Sequence, residues 1–225
     1  MLAFCRFNEV FDLPGIVGCI DCTHIAIFPP HLEDPNHPEH IYVNRKGFHS
    51  INVQLICDSR MKILNVCARY PGSTHDCYIW NNSNVQQLLR NLHTAGHRDY
   101  FLLVKCTVPV VLFTGDSGYQ LREWLLTPII PEPQPRTPER RYNNAHKTTR
   151  SIIERVNGVL KMRFRCLLKH RVLHYSPEMA CRIINACVVL HNICIDQNDI
   201  EVDDNGELDN IGYFLNLSVT VHKII

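Results

Sequence analysis

The sequence predicts a mixed α/β or α+β domain, on three observations. Three β-type runs follow one another in residues 16–70, the apolar period changes from two to about 3.6 residues after "YPGSTHD", and two amphipathic helical segments lie toward the C-terminal end. Strands in succession followed by helix, strand and helices suggest a sheet with a three-strand antiparallel meander flanked by helices.

The first run, "IVGCIDCTHIAIF", ends at Pro29 and Pro30, where no strand continues. After the polar, proline-bearing loop "HLEDPNHPEHIYVNRKG", the runs "FHSINVQLICD" and "MKILNVCARY" read as two strands joined by the turn-like "DSR". In "PGSTHDCYIWNNSNVQQLLRNL" the apolar residues 79, 80, 85, 88, 89 and 92 take a helical period, and Ser73 to Asp76 reads as a capping arrangement. The apolar stretch "YFLLVKCTVPVVLFT" should be a strand stopping at "GDSGY", and "QLREWLL" a short helix. The connector "TPIIPEPQPRTPERR" is rich in proline and breaks regular structure. Residues 147–168 carry apolar positions 152, 153, 156, 159, 160, 164 and 167, the stripe of a long amphipathic helix. A last helix is expected from the cap Ser176, with Pro177 at its first position, to about Ile195. The expected organisation is an N-terminal remnant (1–15), one domain (16–196) and an acidic C-terminal tail (197–225).

Bulk properties narrow the function classes. With 225 residues and 45% hydrophobic content the chain is long enough to bury one core. Runs such as "VPVVLF" and "ACVVL" fall short of the roughly 20 residues of a bilayer span, and no charged start with a small-residue cleavage site is present. The 11 cysteines, an odd number scattered through apolar segments, suit small buried side chains in a reducing compartment. Cys19 and Cys22 form a CxxC without the second ligand pair of a zinc knuckle. The net charge of +1 conceals a polarity: residues 136–171 carry 11 Lys or Arg against Glu139 and Glu154, which leaves +9 there and −8 elsewhere. Such a window reads either as a surface for a polyanion or as a solvated helix face.

Three acids stand in notable places: Asp21 inside the first strand, Asp116 directly after a strong strand, and Glu154 on the basic helix. Each has a plain structural reading. Asp21 fits a buried hydrogen-bond network, Asp116 a turn aspartate, and Glu154 an i,i+4 partner of Arg150 on the stripe Arg150, Asn157, Lys161, Arg165. Together they have a chemical one. Carboxylates within a few ångströms raise each other's pKa unless Mg²⁺ or Mn²⁺ lies between them, and such a site beside cations suits two-metal phosphodiester hydrolysis.

Six segments, in order, carry a resemblance: "GCIDCTHIAI", "YVNRKGFHSINVQLICD", "YPGSTHDCYIW", "GDSGYQLREWLLTPI", "RYNNAHKTTRSIIERVNGVLKMRFRCL" and "YSPEMACRIINACVVLHNIC". Over residues 12–196 they resemble the PIF/Harbinger transposase family and its domesticated, transposase-derived nucleases. The resemblance implies an RNase H-like fold and a DDE nuclease acting on DNA with Mg²⁺ or Mn²⁺. It makes Asp21 the first acid, bridging both metals, Asp116 the second and Glu154 the third. Asp76 also matches a family motif but is assigned to helix capping and left outside the triad. Arg45 and Lys46 of "NRKG", His146, Lys147 and Arg150 of "AHKTTR", and Lys161 and Arg165 of the basic helix are the expected phosphate contacts. The resemblance further implies a Myb-like DNA-binding partner protein, and the substrate implies the nucleus, with the cytoplasm as a second compartment.

The chain departs from the family pattern at Cys22, where glycine is usual, and in "VKCTVPVVLFT", which separates "YFLL" from "GDSGY". The strand that carries Asp116 is therefore either 101–104 or 110–113. The N-terminal segment is shorter than the helix-turn-helix-like region of family members. Alternatives to a DNA nuclease are a catalytically silent domesticated module that binds DNA or protein, and a nuclease acting on RNA.

Overall fold

The computed structural model describes residues 16–31, 34–95 and 112–197. The expected N-terminal remnant, all but the first residue of the expected tail, and residues 96–111 of the apolar stretch before "GDSGY" lie outside the described residues. The described part is a mixed α+β structure around a five-stranded sheet of order β3-β2-β1-β4-β5.

β1 (Ile16–Ala26) lies at the centre. It pairs antiparallel with β2 (Ser50–Cys57), from Cys19↔Cys57 to Ala26↔Ser50, and β2 pairs antiparallel with β3 (Ile63–Pro71). All residues of β2 are buried, as expected of a strand covered on both faces. On its other side β1 pairs in parallel with the short β4 (Leu112–Thr114), which in turn pairs with β5 (Leu125–Leu126). This pairing ends at Cys19↔Thr114, so β1 continues toward Ala26 with no strand on that side among the described residues.

Alternate residues of the strands feed two cores. Cys19, Ile25, Val53 and Leu55 join Ile153, Val156 and Leu160 of α3 (Pro138–Arg163) and Ile184 and Val188 of α4 (Pro177–Asp196). On the opposite face Ile20, Ile56 and Phe113 pack with Trp80 of α1 (Asp76–Asn81), Leu89 of α2 (Asn84–Thr94) and Tyr119. α4 has the length and apolar composition of a membrane-crossing helix, contrary to the estimate from short apolar runs, with a mean hydropathy of 1.4. Its buried residues, Ala180, Ile183, Ile184, Cys187 and Val188, lie in the core beside the sheet.

Several elements differ from the sequence expectation. The single helix after "PGSTHD" is two: Asn82 folds back, its Nδ2 donating to Tyr78 O at 2.8 Å, and Ser83 Oγ accepts from Gln86 N at 3.1 Å to start α2. The cap at Ser73–Asp76 is not formed; His75 takes the cap position without a side-chain bond, and Asp76 is the first helical residue. "QLREWLL" is not helical. Its backbone joins the sheet edge, with Phe113 N donating to Trp124 O and Gly115 N to Leu126 O, which buries Leu125 fully. α3 begins inside the proline-rich connector, because Thr137 Oγ1 caps it by accepting from Arg140 N and Pro138 fits the first turn. It ends at Arg163, followed by a 3-10 turn at Arg165–Leu167, so Phe164 and Leu167 lie beyond its helical end. The cap at Ser176 and the start of α4 at Pro177 agree with the expectation.

Candidate active site

The centre of the candidate site is set by strand register. The parallel pairing ends at Cys19↔Thr114, two residues before both Asp21 and Asp116, and the charge of Asp116 acts on the Asp21 carboxyl. The strand entering "GDSGY" is thus Leu112–Thr114, which lies at the second of the two expected positions. Asp116 leaves the strand in a turn in which its Oδ1 accepts from Gly118 N at 2.8 Å. That turn needs Gly115, since a Cβ there would stand 2.8 Å from Tyr119 Cδ2 and 3.1 Å from Ile20 Cγ2. The turn-aspartate reading is realised.

The Asp21 side chain is only 14% exposed. Burial pushes its pKa up to about 6; the Arg150 guanidinium and the Cys22 backbone N–H act against this, while the charges of Asp116 and Asp76 add to it. Arg150 Nη2 is 3.7 Å from Asp21 Oδ1, and Arg150 Nη1 is 3.3 Å from Glu154 Oε1. One guanidinium thus joins the first and third acids. Glu154, one helical turn along α3, is more than half exposed and held as the i,i+4 partner of Arg150.

On the other face of β1, Cys22 Sγ contacts Tyr119 Oη at 3.5 Å, and burial drives both pKa values well above their ordinary range. Asp76 adds to both shifts and is fixed by Asn52 Nδ2, which donates to Asp76 Oδ1 and Thr74 O at 2.8 Å each. Asp76 is therefore an anchored carboxylate next to β1. The sequence signal is in the strand pairing: Cys22 and His24 oppose the polar residues Gln54 and Asn52.

The expected phosphate contacts divide. Lys161 Nζ donates to Thr23 Oγ1 at 2.6 Å and His24 O at 3.1 Å, and burial together with the charge of Lys46 lowers its pKa. Arg45 and Lys46 are exposed, and their charges reach His24. Lys147 and Arg165 are exposed. His146 does not fit a phosphate contact: it is 3% exposed, its Nε2 lies 3.4 Å from Leu126 O, and burial lowers its pKa. Because α3 starts at Pro138 rather than near Lys147, His146 is a buried helical residue, near the Gly115 backbone and the Asp116 charge.

The oxygen donors fit a hard divalent cation in kind. Arg150 lies against the carboxylates of Asp21 and Glu154, the charges of Asp116 and Asp76 act on Asp21, and an ionised, buried Asp21 needs further positive charge. As they stand, no group of three or more His, Cys, Asp or Glu among the described residues closes into a metal cage, Glu154 being engaged by Arg150.

Residues 20–192 match the family described as DDE superfamily endonuclease. The chain is 43% identical over 193 residues to a mouse protein named "Putative nuclease HARBI1", with 85% of this chain and 49% of that protein aligned. The human protein of the same name is 42% identical over 194 residues, with 85% and 49% aligned. An Arabidopsis thaliana "Protein ALP1-like" is 30% identical over 201 residues, with 88% and 48% aligned. The chain spans about half the length of these curated relatives. No solved structure matches it.

Proposed function

The chain belongs to the DDE superfamily endonuclease family, and from that premise we propose that it is a metal-dependent endonuclease that hydrolyses DNA phosphodiester bonds on an RNase H-like fold. The observation that carries the reading is Arg150 linking Asp21 to Glu154, with the charge of Asp116 also acting on Asp21.

Asp21, Asp116 and Glu154 would hold Mg²⁺ or Mn²⁺. The divalent cations supply an activated water and stabilise the departing oxygen. Asp21 must be ionised to serve, which its surroundings resist without added positive charge. Arg150 must release Glu154, and the freed guanidinium then has donors for a non-bridging phosphate oxygen. Lys161, held to β1, keeps positive charge beside the site, and Arg45, Lys46, Lys147 and Arg165 extend it along the DNA backbone. Water attacks phosphorus, the bond to the 3′ oxygen breaks, and that oxygen leaves as a hydroxyl. A Myb-like partner protein for targeting and a nuclear location belong to the same reading.

The experiment is metal-dependent nicking of supercoiled plasmid by the chain, with Asp116→Asn and Glu154→Gln beside it. Nicking that requires Mg²⁺ or Mn²⁺ and is lost in both variants is expected. Equal nicking by all three proteins overturns the catalytic assignment. One observation favours a second reading, a silent domesticated binding module: Glu154 is ion-paired with Arg150 and closes no donor cluster. Salt-sensitive DNA binding without nicking in either metal would support it.

A further inference from the structure

β1 continues past Ala26 into a backbone ladder with the segment after α3. Ile27 bridges Leu173 in parallel, Phe28 N donates to Leu173 O at 2.9 Å, and Leu173 N donates to Ala26 O at 3.0 Å. This fixes the two residues that follow the bridge, Phe28 and His174, side by side. Their rings stack with centroids 5.0 Å apart and an interplanar angle of 26°. The stack is not core: Phe28 is 54% exposed and His174 is exposed too. A phenylalanine held by backbone bonds with half its surface in water is an unusual expenditure of apolar area.

The surroundings are cationic. Lys169 and Arg171 precede the ladder in sequence and are exposed, and neither has a carboxylate partner among the described residues. Lys169 Nζ lies over the ring of Phe48, 4.5 Å from its centroid. Phe48 also makes an edge contact with His24 on β1, the residue whose carbonyl accepts from Lys161. Positive charge and aromatic rings therefore run from the acids to the far end of β1.

An exposed aromatic stack whose own segment carries two exposed cations a few residues earlier, Lys169 and Arg171, is an arrangement that takes an unpaired base and its phosphates. We propose that Phe28 and His174 form a stacking platform for an unpaired DNA nucleotide, with Lys169 and Arg171 contacting its phosphates. The inference rests on the reading of this chain as acting on DNA, and it adds that the substrate has a single-stranded or splayed segment away from the cut. Seven residues of extended strand separate Asp21 from Phe28, roughly 20–25 Å, or about seven base pairs of duplex.

The test is binding of fluorescein-labelled oligonucleotides to the full chain in EDTA, without cleavage. The ligands are a single strand, the matching duplex, the duplex with one unpaired base, and an RNA of the same sequence. Phe28→Ala and His174→Ala should each weaken binding to the single strand and the unpaired-base duplex about tenfold. Binding to the perfect duplex and its salt dependence should stay unchanged. Phe28→Trp should keep the affinity, with its added emission changing on single-strand binding. Lys169→Gln with Arg171→Gln should weaken all ligands and reduce the salt slope by about 1 per charge.

Wild-type affinity for DNA with Phe28→Ala and His174→Ala indistinguishable from it overturns the platform alone. Equal weakening toward duplex and single strand also overturns it, as does tighter binding to the RNA. The stacking pattern in EDTA together with no metal-dependent nicking by wild type in the separate plasmid assay overturns the nuclease reading but not the platform. No binding of DNA by the wild-type chain overturns both.

Discussion

Arg150 Nη2 lies 3.7 Å from Asp21 Oδ1, and this guanidinium is the strongest influence holding down the pKa of an otherwise desolvated acid. Replacing Arg150 by Gln should move the Asp21 pKa above its value of about 6. Carboxyl ¹³C titration of the metal-free chain measures this directly. An unchanged midpoint would mean that the contact carries no electrostatic coupling.

Asp21 also makes the metal-free fold pH-dependent. Its folded pKa of about 6 lies above the ordinary 3.8, so between these values the folded state binds more protons than the unfolded one. This contribution to stability is therefore greatest below about pH 4 and falls as pH rises toward 6, by about 3 kcal/mol in total. Asp21→Asn should remove that slope and stabilise the chain at pH 7 by about 1–3 kcal/mol. Urea unfolding at pH 5 and pH 7 in EDTA tests it, and a variant that is less stable than wild type at pH 7 would contradict it.

Divalent metal should reverse the penalty. At a concentration about 100 times its dissociation constant, Mn²⁺ bound only to the folded state adds about 2.7 kcal/mol. Thermal unfolding at pH 7 should shift upward for wild type and not for Asp21→Asn or Asp116→Asn. A shift of equal size in both variants would place the metal elsewhere.

Two lysines of α3 should behave oppositely. Lys161 donates to Thr23 Oγ1 and His24 O from a largely buried position, so Lys161→Ala should cost about 1–3 kcal/mol. Lys147 is exposed, and Lys147→Ala should change stability by less than about 0.5 kcal/mol while reducing the salt slope of DNA binding. Paired denaturation curves and salt titrations separate the two roles.

The parts of the fold that could be read from sequence are those governed by local chemistry. The apolar run of β1 before Pro29 and Pro30 and the Ser176–Pro177 start of α4 each carry their own signal. The misread parts are settled by distant partners. Leu125–Leu126 form an edge strand because β4 offers unpaired backbone groups, and α3 starts at Pro138 because Thr137 caps it. Among the candidate site residues, the positions of Asp21, Asp116 and Glu154 could be singled out by their company, whereas the burial of His146 and the anchoring of Asp76 depend on how α3 and α1 rotate against the sheet. A helical stripe fixes which residues share a face, not where that face meets the sheet.

β4 is only three residues long, while β1 runs for eleven. The sheet therefore has a step in its outline, and Asp21 sits just past the corner rather than in an unbroken interior. A longer fourth strand would roof over that corner with main-chain atoms and leave no room for a phosphate to approach. Substitutions or insertions that prolong pairing beyond Thr114 would abolish access while leaving the fold intact.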